Sequence, residues 1–279
     1  MKKNIKAAWR FSRVVLYSFV CLFQAYTRFK RVDRKEKGRM LRYYPTKVLE
    51  LAGVRCSYEG QVPEKLKECG LSAEPPAWLV VSNHISWLDI FSLDSQLPSR
   101  FIAKAEIANW PIFGLIARQI GTLFINRSSK RAILKINDDI RGALCNSEAV
   151  TIFAEGTTTF GNELLPIRSN FLAPACEVGA VVLPVILSYK NNGKPTKQAA
   201  FAGDVSLFGS LWNVVTMDDA EVTVHFLEPI TNTKELTRHE VGKLCEKRMR
   251  AKLQELWGTD YVAQDQNAAS ALAKAIAKG

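Results

Sequence analysis

The chain has 279 residues and a mass of 31.2 kDa, with 47% hydrophobic residues, 23% charged residues and a formal charge of +11 at pH 7. That mix excludes a disordered, collagen-like or disulfide-scaffold chain, and the length suits one large α/β domain or two small ones, with ample core. Six cysteines without a CxxC pair and three widely separated histidines carry no zinc signature, so no metal is expected and the thiols read as reduced.

Residues 1–60 hold 15 Lys/Arg against 4 Asp/Glu, while the other 219 residues hold 23 of each sign. A nucleic-acid binder would spread such charge along a face of the fold, with aromatic residues interleaved. Here the cations bracket an apolar run, so nucleic acid is not an expected partner. Val14 to Phe23 is nearly all apolar, with Ala25, Tyr26 and Phe29 continuing it; Arg10 and Arg13 precede it, and Arg28, Lys30, Arg31, Arg34, Lys35 and Lys37 follow. A helix between Arg13 and Arg28 is about 21 Å long at ~1.5 Å per residue, short of a bilayer core of about 30 Å. Cations on both flanks also oppose a transmembrane orientation. A helix lying in or dipping into the cytoplasmic leaflet fits better, its Lys and Arg on anionic head groups. A single span with snorkelling flanks, or a core helix of the domain, are the alternatives. A signal peptide is disfavoured, because Leu22-Phe23-Gln24-Ala25 offers no small-x-small cleavage site. The expected location is the cytoplasmic face of a membrane (the inner membrane in a bacterium), peripheral or monotopic.

Prolines and glycines from Pro45 to Pro76 predict a break, after which short apolar runs alternate with helical stretches. Strands are expected at 77–81, 101–103, 122–125, 149–153 and 180–187, with further strands near 197–203 and 221–227. Helices are expected at 87–93, 111–119, 129–146, 169–178 and 234–257. The predicted fold is therefore α/β, a largely parallel central sheet flanked by helices and preceded by an N-terminal membrane-associated helical segment. The expected divisions are a membrane-associating segment at 1–60, the catalytic domain at 61–260, and an Ala-rich tail at 261–279.

In such sheets ligands bind beyond the carboxyl ends of the strands. Three strand exits carry capable residues: Ser82-Asn83-His84, Asn126-Arg127 and Glu155-Gly156-Thr157. Asp89 follows His84 by five positions, about 140° around an ideal helix, so the two meet only if His84 precedes the helix and folds back over its first turn. Ser86 is the expected N-cap in that arrangement. Ser86-x-x-Asp89 also resembles a capping box, which would leave Asp89 satisfying backbone donors. The functional alternative is a His–Asp dyad, in which the carboxylate fixes the imidazole so that its other nitrogen takes a proton from an alcohol.

Asn83-His84-x-Ser86-x-x-Asp89 resembles the first signature of the glycerolipid acyltransferase family, which includes the 1-acylglycerol-3-phosphate acyltransferases. Gly121-Thr-Leu-Phe-Ile-Asn126-Arg127 is similar to the second signature, Phe153-Ala-Glu155-Gly156-Thr157-Thr158 to the third, and Val182-Leu-Pro184-Val185 to the fourth. The resemblance covers roughly residues 77–187, with a weaker likeness at Gly203-Asp204 and Leu211-Trp212. It implies transfer of an acyl group from acyl-CoA or acyl carrier protein to a lysolipid hydroxyl, with membrane lipids as partners and no cofactor besides the donor. It further implies His84 as general base, Asp89 as its orienter and no acyl-enzyme. Arg127 is expected on an acceptor phosphate, and Glu155, Gly156 and Thr157 around the acceptor's glycerol and phosphate. Asn83, Lys104 and Arg168 are further candidate binding residues. Ala154 and Thr158 depart from the Pro and Arg usual at those positions. The first expected acceptor is 1-acyl-sn-glycerol-3-phosphate, giving phosphatidic acid; the loss of that arginine makes lyso-ornithine lipid or another lysophospholipid the alternative. A lipid-binding protein without chemistry is the non-enzymatic alternative, and it predicts a broken dyad.

Overall fold

The computed structural model describes residues 2–60, 77–126 and 130–263. One sheet runs in the order β1 (Val54–Glu59), β8 (Ala220–Phe226), β6 (Val181–Asn191), β2 (Trp78–Ser82), β5 (Ala149–Phe153), β3 (Arg100–Lys104) and β4 (Leu123–Ile125), and the short β7 (Lys194–Pro195) folds back on β6. All pairings are parallel except β6 with β8 and β6 with β7. The central strands β2 and β5 are buried along their whole length, which is why they read as unbroken apolar runs.

Helices cover both faces. Trp78 and Val80 of β2 point into one core with residues of α2 (Arg34–Ala52), α3 (Leu88–Gln96) and α7 (Leu207–Val215). Leu79 and Val81 point into the other, with α5 (Lys130–Cys145), α6 (Ala173–Val178) and α8 (Arg238–Trp257). The N-terminal α1 (Lys2–Thr27) joins the first core through Ala7 and Val14, and α4 (Phe113–Ile120) packs on α1.

The α/β class and the largely parallel sheet are as expected from the pattern, but several elements differ. Pro45, expected to break the chain, lies buried inside α2. A helix-interior proline forfeits one backbone hydrogen bond, and here its ring is buried at the wall of a cleft. Strand β1 lies before residue 61 and is hydrogen-bonded to β8, so the sheet begins ahead of the expected domain start. No strand forms at 197–203. Its alanines 199, 200 and 202 are buried, but the backbone turns away to bond to the loop after β2. Helix α7 takes the next residues. The stretch 169–178 is a 3-10 turn (Ser169–Leu172) followed by α6, and α8 begins at a Thr237–Glu240 capping box. Residues 264–279 of the Ala-rich tail lie outside the described residues. Among the described residues no helix is long and apolar enough to cross a membrane.

Candidate active site

Strands β2, β5 and β3 run parallel and end on one side of the sheet, so their exits converge. Between β2 and α3 the chain turns through Asn83–Trp87. Asp89, in the first turn of α3, reaches back over this turn. Its Oδ2 accepts from His84 Nδ1 at 2.7 Å, Ile85 N–H at 2.7 Å and Ser86 N–H at 2.9 Å. One carboxylate thus does both things the spacing allowed: it gathers loop donors and holds the imidazole. The expected capping role of Ser86 is displaced by one residue. The N-cap position is Trp87, with no side-chain cap bond, and Ser86 Oγ lies 3.4 Å from Leu88 N.

Further contacts fix the ring face and the backbone of His84. Its ring stacks on Phe153, with centroids 3.9 Å apart and planes at 11°. Its N–H donates to Glu155 Oε1 at 2.9 Å, and its carbonyl accepts from Thr159 N–H at 2.8 Å. Phe201 N–H donates to the Ile85 carbonyl at 2.7 Å, which ties the 197–206 loop to the same turn. With Nδ1 donating to Asp89, Nε2 carries the lone pair, and the side chain keeps 22% exposure. Buried Tyr189, near the end of β6, donates its hydroxyl to Asp89 Oδ1 at 2.7 Å. Burial, and then the neighbouring Asp89 charge, push the phenol well above its ordinary value, so it stays a donor.

His84 lines an apolar cleft of about 530 Å³, within the usual range for small-molecule sites. Its walls are Val14 and Cys21 of α1, Met40 and Leu41 of α2, Phe113 and Ile116 of α4, Trp87, and the face of α3 made by Ile90, Phe91 and Asp94. Asp94 is a buried acidic residue in this wall. Its Oδ1 accepts from Ser99 N–H at 3.1 Å, and burial raises its carboxyl well above the usual range.

The expected binding residues separate into three groups. Lys104, Gly156 and Thr157 line the cleft with His84. Gly156 adopts φ 84°, the left-handed region that turns the chain right after Glu155. Asn83, a candidate binding residue, and Glu155, expected around the acceptor, are both buried and hydrogen-bonded within the protein. Asn83 exchanges two hydrogen bonds with the Leu187 backbone, at 3.1 and 2.8 Å, joining the end of β2 to β6. Glu155 accepts from His84 N–H and, at 2.9 Å, from Leu165 N–H. Burial raises its carboxyl to about 8, the two backbone donors pulling the other way. Arg168 N–H donates to the Ala154 carbonyl at 3.0 Å, and its side chain is not among those lining the cleft. Arg127 lies outside the described residues. Tyr189 and Phe153 were missed by sequence reasoning. An extension of β6 by two residues would have placed Tyr189 on the same face as Val185 and Leu187.

The geometry defines an α/β protein with a His–Asp pair at a central strand exit, beside an apolar cleft. A family model described as Acyltransferase matches residues 62–188. The chain is 41% identical over 154 residues to the 1-acyl-sn-glycerol-3-phosphate acyltransferase of Neisseria gonorrhoeae, covering 55% of this chain and 60% of that relative. It is 37% identical over 196 residues to the lyso-ornithine lipid O-acyltransferase of Pseudomonas aeruginosa, covering 70% and 73%. The crystal structure of the 1-acyl-sn-glycerophosphate acyltransferase PlsC from Thermotoga maritima shares the fold, with a TM-score of 0.64 at 17% identity over 94% of this chain and 98% of that one. The chain belongs to the acyltransferase family.

Proposed function

We propose that the protein is a lysolipid O-acyltransferase, moving a fatty acyl group from acyl-CoA or acyl carrier protein to the free hydroxyl of a lysolipid. The favoured acceptor is 1-acyl-sn-glycerol-3-phosphate, giving phosphatidic acid. The observation that carries this reading is the His84–Asp89 bond of 2.7 Å at the wall of an apolar cleft. The intact dyad is what a purely lipid-binding protein would lack.

In the proposed reaction His84 Nε2 takes the proton of the acceptor hydroxyl, and the oxygen attacks the thioester carbonyl carbon. The tetrahedral intermediate expels the thiolate, which recovers the proton from the imidazolium, while Asp89 stabilises that cation. A thioester is already activated, so no enzyme nucleophile is required. Ser86 is buried, with its backbone N–H committed to Asp89. Lys104, Gly156 and Thr157 are the proposed polar contacts, Arg127 the proposed phosphate ligand, and Arg168 a further candidate near the acceptor. The apolar walls would take acyl chain.

The proposed location is the cytoplasmic face of a membrane, without a span. Support comes from the outer side of α1, where Leu16 and Phe23 are 67% and 63% exposed between basic flanks. Juxtamembrane cations contribute about 1 kcal/mol each on an anionic leaflet.

A second acceptor is favoured by specific observations. Ala154 and Thr158 replace the usual Pro and Arg, and one relative is named for lyso-ornithine lipid. A panel of lysophosphatidic acid, lyso-ornithine lipid and lysophospholipids with one labelled acyl thioester decides between them. Turnover of none of them, by folded protein, would overturn the reading.

A further inference from the structure

Helix α7 was not foreseen from the sequence, and its outer side stays largely exposed beyond a contact with Phe11 of α1. Its inner side, Ser210, Leu211, Val214 and Val215, is buried. On its outer side Phe208 is 65% and Trp212 40% exposed. Both rings pack on Phe11 of α1, with centroids 6.3 and 6.0 Å away. The two helices are also tied at their ends. Arg10 donates to the carbonyls of Val215 and Met217 at 3.1 and 3.0 Å, where the C-terminal carbonyls of α7 favour a cation, and Lys3 pairs with Asp218 at 2.8 Å. The aromatic side chains of α7 therefore stand in a fixed place beside the uncovered apolar side of α1.

Helix α7 itself, Leu-Phe-Gly-Ser-Leu-Trp-Asn-Val-Val, carries no charge. The cations beside it come from the basic N-terminal segment, and of these Lys3 is paired with Asp218 while Arg10 is bound to the carbonyls at the helix end. A Phe and a Trp on an uncharged helix next to cations suit the head-group boundary of an anionic bilayer, where aromatic rings bury an apolar body and leave a polar edge wet. Leu207, the first residue of α7, lines the cleft.

We infer that α7 is a second membrane contact: Phe208 and Trp212 enter the same anionic lipid surface as the outer side of α1. This inference rests on the proposed membrane contact of α1. It gives the protein two contacts instead of one, which fixes its orientation and sets the α7 edge of the cleft at the lipid.

The test is sedimentation of the full chain with phosphatidylcholine vesicles, with and without phosphatidylglycerol. Phe208→Ser is expected to weaken binding to the anionic vesicles about tenfold, the scale of one aromatic side chain left unburied. Its melting temperature and its turnover of micellar lysolipid should be retained. Leu134→Ser, at a residue 66% exposed on α5, is the control and should bind as the parent does. The double variant L16S/F23S tests α1 by itself. If it loses binding while F208S does not, α7 is no membrane contact and the α1 reading stands. If neither loses binding, both fall. Equal loss in L134S would mean that any exposed apolar residue serves, which also overturns the inference. So would light scattering that shows F208S dissolving a dimer with vesicle binding unchanged, because the surface would then be covered by a second copy of the chain.

Discussion

The hydroxyl of Tyr189 lies 2.7 Å from Oδ1 of Asp89, a residue one hundred positions earlier in the chain. The oxygen of Asp89 that does not face His84 is thereby occupied. The carboxylate cannot rotate away from the imidazole without breaking a buried hydrogen bond, which costs about 1–3 kcal/mol when one partner is left unpaired. Tyr189→Phe is expected to lower kcat about three- to tenfold with KM unchanged, and to lower stability by about 1 kcal/mol. Steady-state kinetics with denaturant unfolding check this. A raised KM at constant kcat would assign the phenol to substrate instead.

His84→Ala should remove acyl transfer by a factor of about 10²–10⁴, the usual contribution of a positioned general base. Sedimentation with vesicles should be unchanged, because the ring touches no outer residue of α1. Retained turnover in the folded variant would sink the dyad.

Glu155, placed by its motif among the acceptor-binding residues, also holds the catalytic turn. Both oxygens accept backbone N–H groups, one from His84 itself. In Glu155→Gln one oxygen becomes an amide facing an N–H donor. The expected result is a lower kcat at unchanged acceptor KM, whereas a direct substrate contact would raise KM.

The same residue sets a pH dependence. Burial holds the folded carboxyl at about 8, above the unfolded value of about 4.3. A group raised on folding binds its proton more tightly in the folded state. Its contribution to stability is therefore full below about 4.3 and is lost as pH rises to about 8. Melting temperature against pH should slope downward across that window in the parent, and the slope should flatten in E155Q. An identical slope in both would place its origin elsewhere.

Gly161 has φ +86°, and a Cβ there would sit 2.7 Å from Cδ1 of Ile85, the residue after His84. Gly161→Ala should cost about 1–2 kcal/mol from the left-handed backbone alone, and should slow turnover by pushing on the catalytic turn. Calorimetry and kinetics on one preparation would check both effects together.

Legibility followed burial. Strands β2 and β5 are enclosed on both faces and announced themselves as apolar runs. Edge strand β1, Val-Arg-Cys-Ser-Tyr-Glu, buries only Val54 fully and reads as nothing in particular. Pro45 hid α2, because local chemistry forecasts a break that packing overrides. The alanines at 199, 200 and 202 mimicked a strand, since burial without hydrogen-bond partners on a ladder looks the same in sequence. At the site, His84 and Asp89 were recoverable because their contact is local. The Asn83 bridge to Leu187 and the Tyr189 hydroxyl depend on the β2–β6 register, which a single sequence does not display.

Helix α1 has two working sides. Ala7, Val14 and Ala25 are buried against the rest of the molecule, while Trp9, Leu16 and Phe23 look outward. Trimming the first thirty residues would therefore strip a wall from the cleft and open the core to water. Substitutions that probe the outward residues keep that wall intact only if the inward ones are left alone.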